Sequence, residues 1–137
     1  MSIEELFLRQ IDSVDGNIEV IVHPGQPMTC VSTGPFVWQV ENIDRDAVIE
    51  EIARVMASPL RAGLNNPLRL DSGEDLQIGM QTGSDGQEPG PLLWIISGAA
   101  HLRLHFSTAS LLIAALCEAR QWQRNQLLAA GGEVASC

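Results

Sequence analysis

The sequence predicts an α+β fold: an antiparallel sheet packed with three helices in the order α-βββ-α-βββ-α. Two observations carry that prediction. Short runs of alternating apolar and polar residues follow one another with only turn residues between them, around Ile18, Trp38, Ile78 and Leu104. Helical periodicity is confined to the start, the middle and the end of the chain, so strands come in consecutive runs, as in antiparallel sheets. A length of 137 residues suits one domain spanning 1–137. Such a chain buries about 70% of its unfolded surface in a single core.

The elements follow in order. Ser2 and Glu5 make a capping box, and Ile3, Leu6, Phe7 and Ile11 then fall on one side of a helix. Ser13 to Asn17 is a turn rich in breakers. Asn17 to Glu41 reads as three strands. Ile18, Val20 and Val22 alternate with Glu19, Ile21 and His23, Met28 to Thr33 is a weaker strand, and Phe36, Trp38 and Val40 alternate with Val37, Gln39 and Glu41. Pro24-Gly25-Gln26-Pro27 and Gly34-Pro35 reverse the chain between them.

Asn42 to Ser58 is the clearest helix, with Asp44 as N-cap and Asp46 at the positive end of the dipole. Val48, Ile49, Ile52, Val55 and Met56 form one stripe opposite Glu50, Glu51 and Arg54, and Ser58-Pro59 stops the helix.

Leu60 to Asn66 reads as a loop or short helical turn, and Leu68 to Leu70 as a short strand. Leu76, Ile78 and Met80 alternate cleanly, and Thr82 to Gly90 is a loop. Leu92 to Ile96 is apolar on both faces and reads as a central or covered strand. Leu102, Leu104 and Phe106 alternate with His101, Arg103 and His105. The last helix runs from Ser107 to about Ala130, where Gly131-Gly132 ends it and leaves a flexible tail over 131–137. There is no internal repeat.

Seventeen acidic against eight basic residues give a net charge of −9. That balance argues against nucleic acid and anionic membrane surfaces as partners. All the basic residues are arginine, so lysine Schiff bases and the P-loop lysine are excluded. The acidic N-terminus is unlike a signal peptide, and the longest run without a charge or strong breaker, Ser107 to Cys117, is too short to span a bilayer. Three scattered cysteines make no disulfide framework, which points to the cytoplasm.

Candidate chemistry is thin. His101 and His105 share a strand face but stand about 13 Å apart at strand rise, too far for one ion. Asp71 to Asp75 lacks the spacing of a calcium loop and reads as a hairpin turn. Cys117 lies in an apolar helix and reads as a core residue, while Cys30 has only a remote prospect of meeting His23 across a hairpin. No nucleophile elbow and no dinucleotide loop is present. The expectation is therefore no catalytic residue, no cofactor and no metal.

Surface remains. Phe7 on the first helix and Ile21, Val37, Leu93 and Ile95 on the less covered sheet face are the candidate partner contacts. The stripe Val48, Ile52, Val55 and Met56 either packs on the sheet or pairs with its copy about a two-fold axis.

Leu116-Cys-Glu-Ala-Arg-Gln-Trp122-Gln-Arg-Asn-Gln-Leu127 resembles the last helix of the class I chaperones of type III secretion effectors, and Asp44 to Met56 resembles their middle helix. The resemblance covers most of the chain in topology. It implies a chaperone-like fold and a homodimer whose middle helix lies at or near the two-fold. It also implies one effector or toxin partner, held by its N-terminal segment. An alternative from another class is an immunity protein or antitoxin that plugs a folded toxin, with an acidic patch as its signature. A third, a small enzyme or ligand-binding domain, would be marked by a deep polar pocket.

Overall fold

Two antiparallel sheets and two helices make the fold of this chain in a computed structural model, which describes residues 6–13, 16–33, 36–57, 63–64, 67–81, 92–98 and 100–130. The first sheet is a meander of β1 (Phe7–Ser13), β2 (Gly16–Val22), β3 (Met28–Thr33) and β4 (Phe36–Glu41), and α1 (Asn42–Met56) follows directly. The second sheet comes from β5 (Gly63–Leu64), β6 (Leu68–Arg69), β7 (Asp75–Gln81), β8 (Leu92–Ser97) and β9 (Ala100–His105). Its order is β5-β7-β8-β9, with β6 also pairing β7. The last element is α2 (Phe106–Ala130). The α+β class and the antiparallel pairing are as the sequence predicts.

The helix count is not. Where a first helix over Ser2 to Ile11 is expected, residues 7–13 form β1, paired along its whole length with β2 from Phe7↔Val22 to Ser13↔Gly16. Phe7 and Ile11 are buried in either reading, because spacing of four satisfies both a helix face and a strand face. A helix this short is marginal by itself, whereas seven residue pairs in a hairpin bring their own hydrogen-bond partners. Gly16 closes that hairpin at φ 120°, a conformation L side chains rarely adopt. Ser13, Gly16 and Asn17 of the predicted turn belong to the paired strands, and Val14 and Asp15 lie outside the described residues. Ser2, Ile3 and Glu5 lie outside the described residues, as do Gly34-Pro35, Ser58-Pro59, the 82–90 loop and the 131–137 tail.

Register decides which residues face inward. Val20↔Val31 and Val31↔Trp38 stack one apolar row across the first sheet, and Ile78↔Ile95↔Leu102 does so across the second. Both rows are buried. The helix α2 packs on β1 and β2 of one sheet and on β8 and β9 of the other, while α1 packs on β4 and β7 and against α2. Ala109, Leu112, Leu116 and Ala119 are the buried stripe of α2, with small residues where the helix comes close to its neighbours. Arg120 to Asp46 and Arg9 to Glu118 tie α2 to α1 and β1 across the surface, and the Phe7 and Trp122 rings meet at 6.3 Å below them.

Candidate functional site

Among the described residues the strand β4 pairs with β3 on one side only and is the last strand of its sheet. β9 is the last strand of the second sheet, and β4 and β9 approach without pairing. Next to that seam a cleft of about 490 Å³ opens. Val37, Trp38, Gln39, Val40 and Glu41 all line it. Successive strand residues point to opposite faces, so five in a row can line one cleft only along the strand's edge. The far walls are the first turns of α1 (Asp44, Val48), the β6–β7 turn (Leu70, Ser72, Glu74) and the β8–β9 turn (Ser97, Gly98, Ala100).

Local sequence explains each wall. Expected as the N-cap, Asp44 is instead the third residue of α1. The cap is Glu41, whose carboxylate makes no capping hydrogen bond. That frees the Asp44 side chain to turn to the β6–β7 turn. Its Oδ1 accepts the backbone N–H of Ser72 at 3.1 Å and its Oδ2 accepts the Ser72 hydroxyl at 2.5 Å. The turn itself is the hairpin read from Asp71 to Asp75. Leu70 N–H donates to Glu74 carbonyl at 2.8 Å, and Gly73 takes φ 100°. At the β8–β9 turn Gly98 has φ 60°, and a Cβ there would stand 3.7 Å from Glu74 Oε1. The Glu74 carboxyl therefore reaches across to the opposite wall.

The residues lining the cleft are the apolar Trp38, Val40, Val48 and Leu70 together with the acidic Glu41, Asp44 and Glu74 and the serines Ser72 and Ser97. No arginine, histidine or cysteine lines it among the described residues. No group of three His, Cys, Asp or Glu side chains among the described residues is close enough to hold a metal ion. Behind α1, Arg45 is buried, with Nη1 donating to Asn42 Oδ1 at 3.3 Å and to Gln123 Oε1, while its Nε has no partner. Burial, then the charge of Arg120, pushes this guanidinium below its ordinary value, opposed by Asp46 and Cys117.

The sequence-predicted contacts divide. Ile21 and Val37 are on the outer face of the first sheet, half-buried and 56% exposed respectively. Phe7, Leu93 and Ile95 are not surface residues; all three are in the core. Phe7 is inward because β1 replaces the expected helix. Leu93 and Ile95 are inward because β8 is apolar on both faces and only pairing with Met80, Ile78, Leu104 and Leu102 sets its phase. The stripe Val48, Ile52 and Val55 is likewise buried within the single chain, with Met56 packed against it, so it is core and not a free dimer face.

His101 and His105 lie on the outer face of β9, as strand geometry requires. Cys30 lies opposite Ile21 and Gln39, with His23 beyond the end of β2, so the Cys30–His23 pair does not form. Burial pushes the Cys30 thiol up from its ordinary value. Cys117 is half-buried, less enclosed than a core position.

The cleft is what sequence reasoning missed. Glu41, Ser72 and Ser97 are far apart in the chain, and no local pattern marks them. Among the described residues no helix is long and apolar enough to cross a membrane. Set beside known proteins, the chain matches no family model, no curated relative and no solved structure.

Proposed function

We propose that the chain is a non-enzymatic binding protein of the secretion-chaperone kind. It holds the N-terminal segment of a type III effector extended, soluble and competent for secretion in the cytoplasm. The observation that carries this reading is the free edge of β4 facing a cleft. An edge strand presents a row of unpaired N–H and C=O groups, and an extended segment can add to it as a further strand. Alternate side chains of that segment then enter the cleft, while Val37 and Ile21 offer apolar contacts on the outer face. A cleft lined by acidic residues and serines, with no histidine or cysteine among the described residues, suits binding rather than nucleophilic chemistry. The homodimer belongs to the same reading and uses surfaces other than the α1 stripe.

The second reading is an immunity protein, and the three carboxyls of the cleft favour it, since an acidic surface complements a basic toxin site. Limited proteolysis of the co-purified partner, with and without this protein, separates the two. A chaperone protects a stretch near the partner's N-terminus and leaves its other domains and any activity intact. Protection of a folded catalytic domain with loss of its activity rejects the chaperone and supports the immunity protein.

A further inference from the structure

Among the described residues two charged side chains are buried, Asp44 and Arg45. Asp44 is satisfied by Ser72. Arg45 is not satisfied in the same way. It is 7% exposed, and its hydrogen bonds all start from Nη1 and end on two neutral amide oxygens, Asn42 Oδ1 and Gln123 Oε1. The other edge of the guanidinium, Nε and Nη2, donates to no described residue, and Nε is a buried donor without a partner. The neighbouring carboxyl of Asp46 bonds Arg120 instead, and Arg120 sets a second positive charge near the first. Buried charges are normally paired, and an orphaned buried donor marks a missing acceptor.

A second orphan belongs to the same corner of the fold. Thr29 is 0% exposed, and its hydroxyl has no partner. The Pro27 carbonyl accepts Asn42 N–H at 2.9 Å, and the Gln26 carbonyl accepts Gln123 Nε2 at 3.4 Å. The two residues that hold Arg45 therefore also hold the turn that leads into Thr29. The helix α1 adds its own positive end here, since it begins at Asn42 with no side-chain cap.

We infer that Arg45 is the centre of a carboxylate-binding site at the junction of α1, α2 and the β2–β3 turn, with the Thr29 hydroxyl as a further donor. The parallel N–H groups of Nε and Nη2 match the two oxygens of a carboxylate, a fit that spherical chloride lacks. One unpaired buried positive charge balances a monoanion, which favours a carboxylate over a phosphate dianion. Gln123 closes the site: it is half-buried, and its release from Arg45 and Gln26 admits the ligand. The site is separate from the edge of β4 and does not depend on strand addition there.

The test follows the Arg45 Nε–H resonance of the full chain by nitrogen-resolved NMR, assigned by its loss in Arg45→Lys. The probes are sodium acetate, acetyl-Gly-Glu-Gly-amide and sodium chloride at matched ionic strength. Acetate or the peptide is expected to shift that resonance saturably, and chloride to leave it in place. At about ten times its dissociation constant acetate should raise the thermal midpoint by about 4 °C over chloride. Arg45→Met should lose that rise, and Arg45→Lys, which keeps the charge without the paired edge, should bind acetate about tenfold more weakly. Thr29→Val should weaken acetate severalfold. Acetate and chloride acting alike on the wild type, or acetate raising the midpoint of Arg45→Met as much as that of the wild type, overturns the site. Full acetate affinity in Arg45→Lys overturns the paired edge, and full affinity in Thr29→Val overturns the share of Thr29. Tighter binding of acetate than of the peptide supports a small acid as ligand, and the reverse supports an acidic side chain of a polypeptide.

Discussion

Among the described residues the Asp44 carboxyl takes both of its hydrogen bonds from one residue, Ser72, through the backbone N–H at 3.1 Å and the hydroxyl at 2.5 Å. The pair joins α1 to the turn before β7 and so fixes two walls of the cleft against each other. Hydrogen bonds to a charged group are worth about 1.5–3 kcal/mol, more than neutral ones. Asp44→Ala should therefore lower stability to urea by about 2–3 kcal/mol and Ser72→Ala by about 1–2 kcal/mol. The double variant should cost less than the sum, since the two residues act on each other. Additive losses would show that the pair does not hold the walls together.

The stripe of α1 belongs to the core, which separates stability from association. Ile52→Ala should cost about 2–5 kcal/mol through the cavity it leaves. Ile52→Asp should unfold the chain rather than merely change its mass in sedimentation. A folded Ile52→Asp variant of half the wild-type mass would restore α1 as the dimer contact.

Cys30 gives a pH-dependent readout on the outer face of the first sheet. Burial raises its thiol above its ordinary value. In a Cys117→Ser, Cys137→Ser background, iodoacetamide should react with Cys30 at a rate whose midpoint lies above that of a free thiol. The sign for stability follows from linkage. Folded Cys30 keeps its proton to higher pH than unfolded Cys30, so its contribution is fully present below the unfolded value and is lost as pH rises through the folded one. A midpoint at or below that of a free thiol would contradict the packing of this face.

Gly98 carries φ 60° beside the Glu74 carboxyl. Gly98→Ala should cost about 1–2 kcal/mol from backbone conformation, because the added Cβ meets Glu74 only at ordinary contact distance. Thermal denaturation checks it, and a variant as stable as the wild type would mean that the turn adopts another conformation.

Much of this was legible from residue order. The strands around Ile18, Trp38, Ile78 and Leu102 and both long helices follow from periodicity and turn residues, since burial of one face imposes a period. Three features were not. The segment around Phe7 and Ile11 satisfies helix and strand spacing alike, and only pairing with β2 decides it. Leu93 and Ile95 belong to a run apolar on both faces, where phase is set by register with β7 and β9 rather than by pattern. The cleft depends on residues from four separate elements, and Asp44 reads locally as a helix cap until Ser72 arrives beside it.

Val37 and Leu93 contrast surface with core. Val37→Asp, at 56% exposure, should leave the fold intact and weaken partner binding without abolishing it, because several anchors share the work. Leu93→Asp buries a charge at a site with no exposure and should unfold the chain. Circular dichroism and a binding assay with the co-purified partner read both. Full binding by folded Val37→Asp would remove this face from the interface.

Amide hydrogen exchange on the complex with the co-purified partner tests the central claim most directly. Pairing of an extended segment with β4 should slow exchange at edge-facing amides between Val37 and Glu41, with the outer face of β1 unchanged. Protection confined to other elements, with β4 exchanging as in the free protein, would contradict strand addition at this edge.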